Sequence, residues 1–177
     1  MQETKPGPVI LRFGLTGGLL SALIFLIFTV TGLSSPDKPT SGYVSGFLTF
    51  AILVTLVVLA IRRQRDEVQG GYINLGQCIL VGLGVVLLST LISSLVSLVY
   101  TQFIDPGFTE RMMAQIEDAW EAQGMSEEQI EAARSWTSFM KSPILTIAYN
   151  LVCFGIGGLI LALITGLIMK RERPEIS

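Results

Sequence analysis

Four stretches of this chain contain no Asp, Glu, Lys or Arg, and their lengths decide most of what it can fold into. They are Phe13–Pro36 (24 residues), Pro39–Ile61 (23), Val68–Ile104 (37) and Ser142–Met169 (28). An α-helix rises about 1.5 Å per residue, so about 20 residues cross a hydrocarbon core roughly 30 Å thick. Each window is long enough. A helix in a soluble core carries charge on its outer face within a few turns, and these carry none. Backbone in lipid must satisfy its own hydrogen bonds, which leaves the helix as the spanning structure. The chain is half apolar and only 15% charged. The expectation is therefore an all-α, integral membrane four-helix bundle forming a single domain over 1–177. Its spans are placed at about 11–33, 43–61, 78–102 and 143–169. The Gly-rich, polar stretch Val68–Gln77 reads as an interfacial turn leading into the third span. A cleaved leader is the competing reading of the first span, but Phe13–Leu33 is longer than a secretory apolar region and Gly32-Leu33-Ser34 is a weak cleavage site.

Charge gives the spans a direction. Lys5, Arg12, Arg62, Arg63, Arg65, Lys170, Arg171 and Arg173 fall on one side if four spans alternate, which is eight of the twelve bases. Lys38, Arg111, Arg134 and Lys141 fall on the other. Loop 105–141 holds eight acids against three bases. Cytoplasmic flanks are enriched in Lys and Arg, so both termini are expected in the cytoplasm and the acidic loop outside. The arginines near 62–65 read as a topology signal able to touch anionic head groups.

Loop 105–141 is the only sizeable part outside the spans. After the break Asp105-Pro106-Gly107, the residues Phe108, Met112, Ile116 and Trp120 recur every four residues, and Gly124 stops that helix. Ser126 with Gln129 is a capping-box start for a second helix, whose stripe is Ile130, Ala133, Trp136 or Thr137, and Met140. The expectation is an outer helical hairpin. It either caps the bundle or offers a protein partner a surface around Trp120 and Trp136. The first outer connection, Ser34–Gly42, reads as a short turn.

Small residues repeat at four-residue spacing: Gly14, Gly18 and Ala22 in span one, Gly158, Ala162 and Gly166 in span four, with Gly82 in span three. Such rows let helices approach closely in lipid, either within one chain or in a homo-oligomer. Span three carries Ser89, Ser93 and Ser97 with Thr90, Ser94 and Thr101 beside them. These hydroxyls either line a small pore or bond to their own helix and its neighbours. Asn150 is the one amide deep in span four and a candidate partner for that seam.

What is missing narrows the function further. The chain contains no histidine, which excludes His-based triads, metal sites and proton shuttles. No span holds an ionisable group other than Tyr and Cys, unlike a proton- or ion-coupled pump. There is no Walker-type loop and no Cys pair at metal spacing. Cys78 and Cys153 read as small buried residues at different depths, unsuited to a disulfide. No catalytic residue, cofactor or metal is expected, nor a nucleic-acid partner. The bilayer itself is the expected surrounding. Two readings remain: a non-enzymatic scaffold or partner-binding membrane protein, and a small passive transporter or channel lined by span three.

The layout resembles a bacterial family of four-span proteins of unknown function, domain of unknown function forty-one ninety-nine. The likeness rests on Phe13-Gly14-Leu15-Thr16-Gly17-Gly18, on Asp105-Pro106-Gly107-Phe108, on Ser142-Pro143, and above all on Gly70-Gly71-Tyr72-Ile73-Asn74-Leu75-Gly76-Gln77. That last segment is similar to the family's Gly-Gly-Tyr-Ile-x-Phe-Gly pattern, with Leu75 where Phe is common. The resemblance implies a bacterial inner-membrane location and four spans, and no substrate, cofactor or catalytic residue.

Overall fold

The computed structural model describes residues 5–33, 39–137 and 142–171, with 39–42 described by backbone alone. Met140 and the bases Lys38, Lys141 and Arg173 lie outside the described residues, as does most of the Ser34–Gly42 connection. Four helices are long and apolar enough to cross a membrane, and no strand occurs among the described residues.

Helix α1 spans Gly7–Val30, with Pro8 in its first turn, where a missing N–H costs no hydrogen bond. Helix α2 spans Pro39–Arg63 and α3 spans Leu75–Val99. Each is prolonged by one π-type turn, at 64–68 and 100–104 respectively. Asn74 caps α3. Its Oδ1 accepts from the Gln77 backbone N–H at 2.8 Å, and the Gln77 Oε1 accepts from the Asn74 N–H at 3.2 Å. Helices α4 (Phe108–Ala122) and α5 (Glu127–Thr137) follow, and α6 (Pro143–Met169) closes the bundle.

Helix α3 is the central element. Against α1 the contacts are Gly84 with Ile10, Leu88 with Gly14, and Ile92 with Gly18, so the two helices run parallel. Against α6 they are Cys78 with Gly166, Gly82 with Ala162, and Val86 with Gly158, so this pair is antiparallel. In each contact a small residue faces a larger one or another small one. A Cβ on Gly14 would lie 2.6 Å from Leu88 Cδ2, one on Gly18 2.6 Å from Ile92 Cβ, and one on Gly158 2.8 Å from Val86 Cγ1. No side chain fits in those gaps. Ala22 continues the α1 row and is buried. Helix α2 backs the seam, with Val57, Ala60 and Ile61 fully buried beside Val81 and Val85.

The surface is inverted relative to a soluble protein. Ser21, Ser89, Thr90, Ser94 and Thr165 are buried, while Leu19, Phe47, Ile144, Ile160 and Ile168 point outward. That arrangement suits a hydrocarbon surrounding.

The end of the bundle that carries both termini is clasped. Gly70 and Gly71 adopt φ of 67° and 96°, a region that L side chains rarely enter. The Gly71 N–H donates to the Arg65 carbonyl at 2.7 Å, and the reversal delivers Ile73 beside Arg171. Those two residues exchange backbone hydrogen bonds of 2.9 Å each way. The Ile73 side chain is 1% exposed and joins the core. Arg65 pairs with Asp66 at 2.7 Å and Arg63 with Glu67 at 2.9 Å, and Arg65 also reaches the Met169 carbonyl at 3.4 Å. The Tyr-Ile segment thus ties the α2–α3 connection to the end of α6.

The opposite end is held by aromatic rings. Phe25 of α1, Tyr100 of the π turn and Phe108 of α4 stack edge-to-face, with centroids 5.7 to 6.2 Å apart. Helix α4 stops in a paired cap: Met125 N–H donates to the Trp120 carbonyl, and Gly124 N–H, at φ 78°, to Glu121. Ser126 and Gln129 then exchange side-chain bonds to each other's N–H groups and start α5.

Two outcomes follow from this packing. Gly158→Val should lower stability by about 1–3 kcal/mol through overpacking against Val86, whereas Gly157→Ala, whose Cβ meets nothing within 4 Å, should not. Thermal melts of both variants in detergent check this; equal melting would refute the α3–α6 approach. Gly71→Val should cost about 1–2 kcal/mol from its positive φ, and Gly71→Asn clearly less, read by the same melts.

Candidate functional site

The hydroxyls of α3 border two adjoining spaces, Ser89, Thr90, Ser93 and Ser94 the smaller and Ser94, Ser97 and Thr101 the larger. Successive positions four apart advance about 40° around a helix, so the row Ser89, Ser93, Ser97 winds from one neighbour to the next. Ser89 faces α1, is 1% exposed, and donates to the Gly14 carbonyl at 3.1 Å. Ser93 donates to the Thr90 carbonyl at 3.1 Å within its own helix. Ser97 faces a cleft at the capped end of the bundle. Asn150 of α6 meets the seam at Ser94: its Nδ2 lies 3.5 Å from the Ser94 Oγ.

The cleft has a volume of about 750 Å3 and is walled by α3, α4 and α6. Ser94, Ser97, Thr101, Thr146 and Asn150 supply its polar side, and Met112, Met113 and Ile147 its apolar side. Helix α4 meets the bundle at Phe108, against Phe25 and Tyr100, and the cleft lies alongside the helix. Glu117 and Arg134 close the outer rim as a two-pronged ion pair, with both contacts 2.8 Å. Donating to the Glu117 carboxylate raises the Arg134 guanidinium above its ordinary value, so it stays charged. A second space of about 70 Å3 lies deeper, and Ser94 and Asn150 belong to the walls of both. Below it α3 and α6 meet closely, Val86 on Gly158 and Gly82 on Ala162. A third space of about 360 Å3, between α1, α2 and α6, shares Ser21, Thr49, Leu53 and Phe154 with the deeper one.

The other candidates fall elsewhere. Gly14, Gly18, Gly158, Ala162 and Gly166 lie in the close contacts of α3. Trp120 is half-buried on α4, while Trp136 on α5 is 83% exposed. Cys78 is buried against Gly166, and Cys153 is exposed. Among the described residues, no group of His, Cys, Asp and Glu is placed to hold a metal ion. Four participants carried only a faint signal in the sequence. Ser21 is a lone hydroxyl on the small-residue row of α1. Thr49 is one of several hydroxyls on α2, with no spacing that singles it out. Glu117 and Arg134 come together only when α4 and α5 are in place. What the arrangement offers chemically is hydrogen bonding in a half-apolar recess.

The chain matches no curated protein and no solved structure. The clasp at Ile73, the central α3 and the capped cleft all lie within residues 12–171, the stretch that matches a family described as Protein of unknown function (DUF4199), and the chain belongs to that family.

Proposed function

We propose that this is a non-enzymatic, multi-pass protein of a bacterial inner membrane that binds a small solute in its capped cleft. The cap end faces outward and both termini lie in the cytoplasm, as the distribution of bases and acids favours. The observation that carries the reading is the cleft: a recess of ligand size, lined by hydroxyls and an amide on one side and by methionines on the other. Ligand sites have this mixture of apolar walls and a few convergent polar groups. The absence of histidine from the chain supports a role without acid–base chemistry. The close packing of α3 on α6 below the cleft favours binding over an open channel.

Cysteine labelling tests this on a Cys78→Ala/Cys153→Ala background. An impermeant thiol reagent added outside spheroplasts should modify Ser97→Cys and Thr146→Cys, and also Gln123→Cys on the turn between α4 and α5. Val81→Cys should react only after denaturation. Protection of both cleft positions would overturn the solute reading, and protection of Gln123→Cys the orientation.

A second reading, a scaffold that binds a protein partner, is favoured by Trp136, whose ring is 83% exposed on an acidic cap. A photo-crosslinker at that position should then yield one reproducible protein adduct in native cells. Recovery of lipid or self-adducts alone would remove this reading.

A further inference from the structure

Ser21 sits midway along α1, is only 8% exposed, and its Oγ has no hydrogen-bond partner. It faces the inner space of about 70 Å3, together with Thr49, Ser89, Ser93, Ser94 and Asn150. A buried hydroxyl without a partner is the exception in folded proteins and asks for one. The space holds about two waters, at roughly 30 Å3 each. Its polar lining is wholly neutral, and no Asp, Glu, Lys or Arg lies in any of the four charge-free windows. An ion entering would lose hydration with no counter-charge to replace it. Ser89 and Ser93 spend their protons on the Gly14 and Thr90 carbonyls, which leaves their oxygens as acceptors. Ser21 retains a proton to donate, and the Asn150 amide adds further capacity. The lining therefore matches a group that both donates and accepts.

We infer that this space is the inner subsite of the cleft and binds an uncharged hydrogen-bonding group, the hydroxyl or amide end of a small neutral solute. The inference rests on the solute reading proposed above and names its ligand class. It adjoins the cleft at Ser94 and Asn150, which the two spaces share. On its other side Ser21, Thr49, Leu53 and Phe154 also wall a mostly apolar space of about 360 Å3 between α1, α2 and α6, so a polar solute enters from the cleft.

The test uses the full chain in detergent, without its native cysteines, carrying Ser93→Cys at the subsite or Ser97→Cys in the cleft. Three methanethiosulfonates of similar size are compared: 2-hydroxyethyl (neutral), 2-sulfonatoethyl (anionic) and 2-(trimethylammonium)ethyl (cationic). Each rate at Ser93→Cys is divided by the rate of the same reagent at Ser97→Cys. The neutral reagent should show a ratio at least about tenfold above either charged one. Molar glycerol or urea should slow it at Ser93→Cys and not at Ser97→Cys. Thr49→Cys, on the facing helix, is a second reporter should Ser93→Cys fail to fold. Equal ratios for charged and neutral reagents overturn the inference. Reaction at Ser97→Cys with none at either subsite position also overturns it, while leaving the cleft standing. No reaction at Ser97→Cys overturns the solute reading itself.

Discussion

The structure depends on how closely α3 approaches α1 and α6. In lipid, burying Leu against Leu gains little, because acyl chains are equally apolar. What remains is dispersion, about 0.1–0.2 kcal/mol per atom pair at contact and largely lost with a small gap. Many pairs must therefore meet at full contact, which needs backbones close together. Gly14, Gly18, Gly82, Gly158 and Gly166 provide this, each seating a side chain or Ala of the facing helix. The bulky Leu, Ile and Phe residues are then free to face outward.

The same constraint sorts the hydroxyls. Most are satisfied within their own helix: Thr16 donates to Arg12, Thr55 to Ala51 and Thr165 to Leu161, each to a carbonyl four residues back. Such groups are neutral in lipid and need no neighbour. Ser89 differs, because it bridges two helices where α1 and α3 are closest. Hydroxyls and the Asn150 amide gather where packing is incomplete, at the capped end. The other end buries Gln64, is glycine-packed and is clasped by paired backbone bonds at Ile73 and Arg171. The molecule is thus closed at one end and recessed at the other.

Much of this is legible in the sequence, for identifiable reasons. Charge exclusion from lipid marks the four apolar helices directly. Local chemistry marks Gly124 and the Ser126–Gln129 box, since both act within one turn. The equally local box of Asn74 and Gln77 follows the same spacing rule with Asn as the capping residue. Helix ends are harder: the π turns at 64–68 and 100–104 carry α2 and α3 onward through residues whose composition suggests a loop or an interface. The cleft is not legible at all. It is the gap left between α4 and the bundle, and no single stretch of chain encodes a gap. The hydroxyl row is visible in the sequence as a seam, but the carbonyls that Ser89 and Ser93 bond are not, because they depend on how α1 and α3 meet.

The segment by which the chain most resembles its family turns out to be architectural. Gly70 and Gly71 make a reversal, Ile73 fills the core, and the backbone at Ile73 holds the end of α6. None of these residues lines the cleft. A signature of this kind carries the fold: it fixes the register of α3 against α6, on which the glycine contacts depend. In the solute reading proposed above, the ligand is set at the other end, by Ser21 on α1, Ser94 and Ser97 on α3, Asn150 on α6, and the Glu117–Arg134 rim. Two proteins could share the clasp and differ wholly in that lining. Membership of the family therefore argues for the bundle, and the chemistry has to be read from the recess of each chain.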